Sequence, residues 1–324
     1  MPERSMIEAI NEALDIALED PAVVLLGEDV GATGGVFRVS DGLQQKHGAD
    51  RVIDTPVAES GIIGAAYGMA IAGMRPIAEM QFMGFSYPGY DQVISHVARI
   101  RNRSRHRFTA PMVIRITYGA GIGAAEHHSE SAETIYAHIP GLKVVVPSTA
   151  GDAKGLLLAA VDDPDPVVFL EPIRLYRAVK DDVPEGRYTV PIGVARVARE
   201  GGDVTLVAYG SMMKDSLIAA EKLAAEGIEA AVVDVRSIVP LDIDTIVGSV
   251  RATGRAVVVQ EAPRTAGYAA EIVAQIQERA MYSLEAPIER VTGWDIVVPL
   301  RRAEHLYVPS PERIVSAAKR TLTA

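Results

Sequence analysis

An α/β fold of two doubly wound domains is predicted by three features: apolar runs of strand length, helix-length stretches between them, and a polar break past mid-chain. Ile7, Ile10, Leu14 and Leu18 recur at helical spacing and predict a first helix over 6–19. Val23 to Gly27 follows as a buried parallel strand ending at Glu28 and Asp29, and a loop with Gly31, Gly34 and Gly35 comes next. Further strands are expected at 52–53, 77–80, 113–116, 144–146 and 167–170, with helices over 90–103 and 150–161. Residues 180–202 carry charges, glycines, Pro184 and Pro191, and read as a linker between a domain at 1–179 and one at 203–324. There the alternation restarts, with strands at 204–209, 230–235, 256–259 and 288–291 and helices at 217–226, 243–251 and 269–280.

At 48% hydrophobic and 23% charged residues, the composition is that of a soluble globular protein. No apolar run approaches the ~20 residues that span a bilayer, and Met1-Pro2-Glu3-Arg4-Ser5 lacks the basic-then-apolar pattern of a secretory signal. A cytoplasmic location without membrane contact is expected. The net charge of −10 argues against general nucleic-acid binding. Cysteine is absent, which excludes disulfides, thiolate catalysis and Cys-ligated zinc.

The segment Asp54-Thr55-Pro56-Val57-Ala58-Glu59 leads into an almost unbroken run of small and apolar residues. Helical spacing places Gly61, Gly64, Ala65 and Gly68 on one small-residue face. A carboxylate at the entrance of such a helix is expected in a buried setting, where it needs a partner or a proton. Two readings of Glu59 stand here: proton exchange with a bound ligand, or a first-turn charge that complements the helix dipole.

Gly119-Ala120-Gly121-Ile122-Gly123 follows a strand but lacks the later glycine and helix entry of a dinucleotide fingerprint. Its glycines are expected to let a loop lie against a ligand or a neighbouring subunit. His127 and His128, a few residues on, are poorly spaced for zinc. A loop imidazole suits proton transfer near neutral pH, and a merely hydrogen-bonded ring is the plain alternative. The run Arg99, Arg101, Arg103, Arg105, Arg107 lacks interleaved aromatics and reads as a solvated helix end or a subunit contact. Asp162-Asp163-Pro164-Asp165-Pro166 offers oxygens to a cation, or is a surface turn.

An absence is equally informative. Thiamine diphosphate enzymes commonly hold their Mg²⁺–diphosphate with Gly-Asp-Gly and a downstream asparagine. This chain has no Gly-Asp-Gly, and its only asparagines are Asn11 and Asn102. If it uses that cofactor, another chain must bind the diphosphate.

Over its whole length the chain resembles the β subunit of the E1 component of 2-oxoacid dehydrogenase complexes, of the pyruvate or branched-chain type. The matching stretches include Gly27-Glu28-Asp29-Val30, Gly34-Gly35-Val36-Phe37-Arg38, Asp54-Thr55-Pro56 through Glu59, and His128-Ser129. Others are Pro140-Gly141-Leu142-Lys143-Val144-Val145, Asp152-Ala153-Lys154-Gly155-Leu156 and Glu261-Ala262-Pro263. The resemblance implies a thiamine-diphosphate pyrimidine-binding domain followed by a transketolase C-terminal-like domain. It also implies a heterotetramer of two α and two β subunits, in which the α subunit holds the diphosphate and Mg²⁺ and both chains share the cofactor.

By the same resemblance, Glu59 hydrogen-bonds the N1′ nitrogen of the aminopyrimidine and so promotes activation of the cofactor, which decarboxylates a small 2-oxo acid. His128 is implied in reductive acylation of the lipoyl group of E2. Phe85 is implied as the aromatic against the pyrimidine, with Val57 and Gln81 lining the pocket and Glu28 linking the two active sites of the tetramer. Met112, Ala160, Val161, Asp163 and Asp165 match a potassium site of relatives, although an asparagine found in some is Asp165 here. The acidic second domain, with Glu285 and Glu289, is implied to meet the basic subunit-binding domain of E2. Other implied readings are an acetoin dehydrogenase β subunit, a split transketolase half and a non-catalytic assembly subunit.

Overall fold

The computed structural model describes residues 2–324. Its first half contains strands β1 (Glu3–Ser5), β2 (Val23–Gly27), β3 (Val52–Asp54), β4 (Arg75–Met80), β5 (Val113–Tyr118), β6 (Lys143–Val145), β7 (Val167–Pro172) and β8 (Lys180–Asp182). The second half adds β9 (Arg196–Arg199), β10 (Val204–Ala208), β11 (Ala230–Asp234), β12 (Ser237–Val239), β13 (Ala256–Pro263) and β14 (Glu289–Gly293). A seven-stranded sheet runs in the order β12-β6-β7-β5-β4-β2-β3, and a five-stranded sheet in the order β14-β13-β10-β11-β9. Only the edge strands β12 and β9 are antiparallel to their neighbours in these two sheets. Strands β2, β5, β7, β10 and β11 are buried along their whole length, as a parallel sheet covered on both faces requires.

β2 pairs with both β3 and β4, Leu25 lying beside Val52 and Ile77. The chain therefore reverses its direction of travel across the sheet at the β2–β4 pair. Such a switch point opens a crevice at the carboxyl ends of the strands, where loops diverge to opposite faces. Glu28 follows β2, and Gln81 and Phe82 follow β4. The helix Glu59–Ile71 comes after β3 and packs Ile62, Ile63 and Ala66 into the core.

The apolar core does not stop between the two sheets. One cluster runs from Ile62, Ile63 and Val97 through Tyr118 to Val233, Ile246 and Ile276. β12, from the second half, closes the first sheet by pairing Ser237 with Val145.

Four expectations need correction. The helix expected over 90–103 is broken, because Ala98 N–H bonds back to the Val93 carbonyl five residues earlier (3.0 Å) and makes a π-turn over Val93–Val97. Gly141 packs against that irregular turn, and a Cβ there would lie 2.0 Å from the Ala98 carbonyl oxygen. The helix expected from 217 starts at Met212, where Met212 and Met213 are already buried. The stretch 180–202 holds two strands: β8 pairs with β1, and β9 edges the second sheet. The helix Pro311–Leu322 was not anticipated, although Ser310 caps it and Pro311 opens it in the usual way.

Candidate active site

Glu59 is the first residue of its helix, and Ala58 before it supplies no side-chain cap. The carboxylate belongs to the first turn, whose backbone N–H groups lack helical acceptors, a favourable place for negative charge. In the single chain Glu59 is half-buried, not enclosed as its apolar sequel suggested. The reason is that the small-residue face at Gly61, Ala65 and Gly68 is open to solvent, and Val57 beside it is 79% exposed. An open small-residue face beside an acid, with an exposed valine next to it, is a surface that another chain can complete.

Inside this rim the buried Glu28 has no hydrogen-bond partner for Oε1. Burial raises its pKa, and the negative charges of Glu59, Asp29 and Glu79 raise it further. Thr55 Oγ1 is likewise buried without a partner, while its N–H donates to the Gly27 carbonyl (2.9 Å) and ties β3 to the end of β2. Gln81 donates to Asp29 Oδ2 (3.3 Å) from the neighbouring strand end. Asp54 fixes the glycine loop by accepting from the N–H groups of Gly31 (2.6 Å) and Ala32 (3.0 Å).

An aromatic wall rises next to these acids. Phe82 contacts Phe37 (5.5 Å between ring centres), Phe85 (5.3 Å) and His128 (4.5 Å), all nearly edge to face. His128 also meets Phe85 at 5.0 Å, and its Nδ1 is buried with no partner. His127 packs between Phe85 and Tyr87. Gly84 permits this approach, since a Cβ there would lie 2.4 Å from the His127 carbonyl oxygen. Gly89 brings the same turn onto the backbone of Glu59, 3.1 Å from its would-be Cβ. Glu59, Glu28, Gln81, Phe85 and His128 are thus neighbours around the ends of β2 and β4, with Val57 exposed beside Glu59. Phe37, Thr55, Phe82 and Tyr87 belong to this group as well. Their signal is strand order, which a single sequence does not print.

The remaining expected residues form a separate corner. Val161 O accepts from the Arg75 guanidinium (2.6 Å), which also reaches Asp163 O (3.4 Å). Met112 O accepts from Val167 N–H (3.0 Å) and Ala160 O from Asp163 N–H (3.3 Å). The Asp163 carboxylate is paired with Lys143, and that of Asp165 with Arg101 (2.5 Å). Three cations of the chain already serve the Val161, Asp163 and Asp165 oxygens, where a potassium ion would have to displace or repel them. Among the described residues no group of three or more His, Asp or Glu side chains could hold a metal.

The Arg99–Arg107 run is partly consumed locally. Arg99 donates to Ile94 O (2.7 Å) and Arg103 to Ser95 O (2.7 Å), both on the preceding turn. Arg105, His106 and Arg107 stay exposed.

Residues 3–179 match the family model of the transketolase pyrimidine binding domain, and residues 193–314 that of the transketolase C-terminal domain. The chain is 53% identical over 321 residues to the pyruvate dehydrogenase E1 component subunit beta of Acholeplasma laidlawii, covering 99% of this chain and 98% of that one. It is 50% identical to the Staphylococcus epidermidis protein of the same description, with 99% of each chain covered. The chain belongs to the β subunits of the E1 component of 2-oxoacid dehydrogenases. Among solved structures, this E1 β chain is similar to a split-gene transketolase described as an inactive β4 tetramer, with TM-score 0.79, 25% identity and 98% of both chains covered. Among the described residues no helix of the E1 β chain is long and apolar enough to cross a membrane.

Proposed function

We propose that this crevice is the β-chain half of a thiamine diphosphate site completed by an α subunit. The assembled enzyme would decarboxylate pyruvate and pass the acyl group to the lipoyl arm of E2. The observation that carries the reading is a set of buried, unpartnered polar atoms: Glu28 Oε1 and Thr55 Oγ1 at the ends of β2 and β3, and His128 Nδ1 in the turn Glu126–His128 against Phe82 and Phe85. Such atoms are costly unless something polar meets them. An aminopyrimidine, polar at its edge and flat and apolar on its faces, suits acids on one side and Phe85 and Phe82 on the other.

When bound, the cofactor supplies the electron sink for loss of CO₂. The chain's own residues have separate tasks. Glu59 would hydrogen-bond the pyrimidine N1′ and pass it a proton, and its place at a helix start favours the carboxylate left behind. Phe85 and Phe82 orient the ring, and Val57 and Gln81 border it. Glu28 extends the acidic path behind Glu59. His128 faces the mouth of the crevice and exchanges a proton there during transfer to the lipoyl sulfur. Mg²⁺ is assigned to the α subunit, and the E2 lipoyl and subunit-binding domains are the docking partners, the latter at the acidic second domain. Potassium has no place in the reading.

Pyruvate is favoured over branched-chain 2-oxo acids because both relatives named above are pyruvate dehydrogenase subunits. The test is reconstitution with the α partner and comparison of pyruvate with 3-methyl-2-oxobutanoate. Glu59→Gln should lower decarboxylation by about a hundredfold or more with assembly intact. His128→Ala should slow lipoyl acylation far more than decarboxylation read with an artificial acceptor. Normal turnover of Glu59→Gln, or equal loss of both steps in His128→Ala, would sink the respective assignment.

A further inference from the structure

The glycine loop after β5 is the one conspicuous motif that the proposed chemistry leaves unexplained. It is a closed loop: Gly119 N–H donates to the Glu130 carbonyl (2.9 Å), so residues 119–130 leave and return at one point with both imidazoles between. Gly119, Gly121 and Gly123 all have positive φ (94°, 104° and 73°), which turns successive N–H groups toward one side. A concavity of N–H groups binds anions, and here the anions come from the second half of the same chain. Glu304 accepts from Gly121 N–H with Oε1 (2.7 Å) and from Gly123 N–H with Oε2 (2.8 Å). Glu261 accepts from Ala120 N–H, and from Ser131 Oγ (3.5 Å) just past the other foot of the loop. Ser211, at the end of β10, donates to the second oxygen of Glu261.

We infer that Glu304 and Glu261 are positioning residues: two carboxylates of the second domain that clamp the loop carrying His127 and His128 against the aromatic wall. Glu304 is 6% exposed and Glu261 3%, so both bonds are made away from water, where a charge-assisted bond to N–H is strong. The loop has little else to hold it. Ile122, Glu126 and His127 are exposed, and the only helical turn, Glu126–His128, is three residues long. A side chain cannot replace the glycines either: a Cβ on Gly121 would lie 2.3 Å from Arg174, and one on Gly123 2.9 Å from Arg301. The second domain thereby sets where the imidazoles stand, although it contributes no group to the crevice itself. The inference rests on the reading of His128 given above only for its catalytic consequence.

The test uses the assembled enzyme with Glu304→Ala and with the isosteric Glu304→Gln, which keeps one accepting oxygen and guards against a folding failure. Hydrogen exchange of peptides spanning 119–130 should speed up by about tenfold or more in Glu304→Ala and less in Glu304→Gln. Lipoyl acylation should lose kcat/KM by about tenfold, while decarboxylation with an artificial acceptor changes less than about twofold. Unchanged exchange in both variants overturns the clamp. Faster exchange with unchanged acylation overturns the positioning role of Glu304, whereas the role of His128 itself fails only on the His128→Ala result given above.

Discussion

Glu28 and Glu59 stand close enough at the β2–β4 switch point for the charge of Glu59 to raise the pKa of Glu28, after burial as the larger cause. The native chain therefore keeps the Glu28 proton to a higher pH than the unfolded chain, where a glutamate ionises near about 4.3. Stability from this group is full below that value and is lost as pH rises through the native pKa. Glu28→Gln removes this titrating group. Its thermal midpoint, followed between about pH 4 and pH 8, should gain on the parent as pH rises. A constant offset between the two curves would show that Glu28 does not titrate against Glu59.

Gly84 and His127 are in backbone contact, which makes Gly84→Ala a probe of loop position. A Cβ 2.4 Å from the His127 carbonyl oxygen forces the loop away from Phe85. A displacement of about 1 Å costs on the order of a hundredfold where geometry matters. That loss is expected in lipoyl acylation. Steady-state kinetics with a lipoyl domain and with an artificial acceptor would separate the two steps, and an unaltered acylation rate would refute the contact's importance.

Much of this was legible in the sequence, and what was not has common causes. Runs such as Val113–Ile116 and Val167–Leu170 announce buried strands because a parallel sheet buries both faces. β9 and β12 are short edge strands with mixed polarity, so no period marks them. The π-turn over Val93–Val97 packs against Gly141, more than 40 residues on, a contact that local spacing does not encode. Glu59 and His128 stand out in the sequence through the resemblance, but the openness of Glu59 in the single chain does not, because the small-residue face at Gly61, Ala65 and Gly68 reads as core and is open to solvent. Glu304 lies more than 170 residues from the loop it holds, 183 from Gly121, and no motif joins them.

Arg75, Arg101 and Lys143 occupy the corner where potassium was expected, and the chain should not need the ion there. Exchange of potassium for sodium should leave the thermal midpoint of the assembled enzyme unchanged. Arg75→Met, by contrast, strips the donor from the Val161 and Asp163 carbonyls and should cost about 1–3 kcal/mol. A midpoint that falls on potassium removal would show that the three cations do not suffice.

Arg115 offers the largest stability effect. Its guanidinium is buried between β4 and β7 and donates to Glu79 (2.6 Å) and to both oxygens of Glu171 (2.6 and 3.0 Å). Tyr176 donates to the same Glu171 at 2.5 Å. Burial raises Glu79 most, and Arg115 opposes that rise. Arg115→Met leaves two carboxylates without their cation and should cost about 3–5 kcal/mol in urea unfolding at neutral pH. Arg115→Lys should recover only part of this, because an ammonium cannot bridge Glu171 with two parallel bonds. The sign of the pH effect follows from the lost cation: Glu79 in Arg115→Met holds its proton to higher pH than in the parent. The deficit should therefore shrink as pH falls toward about 5. A deficit independent of pH would mean that the arginine acts through packing alone.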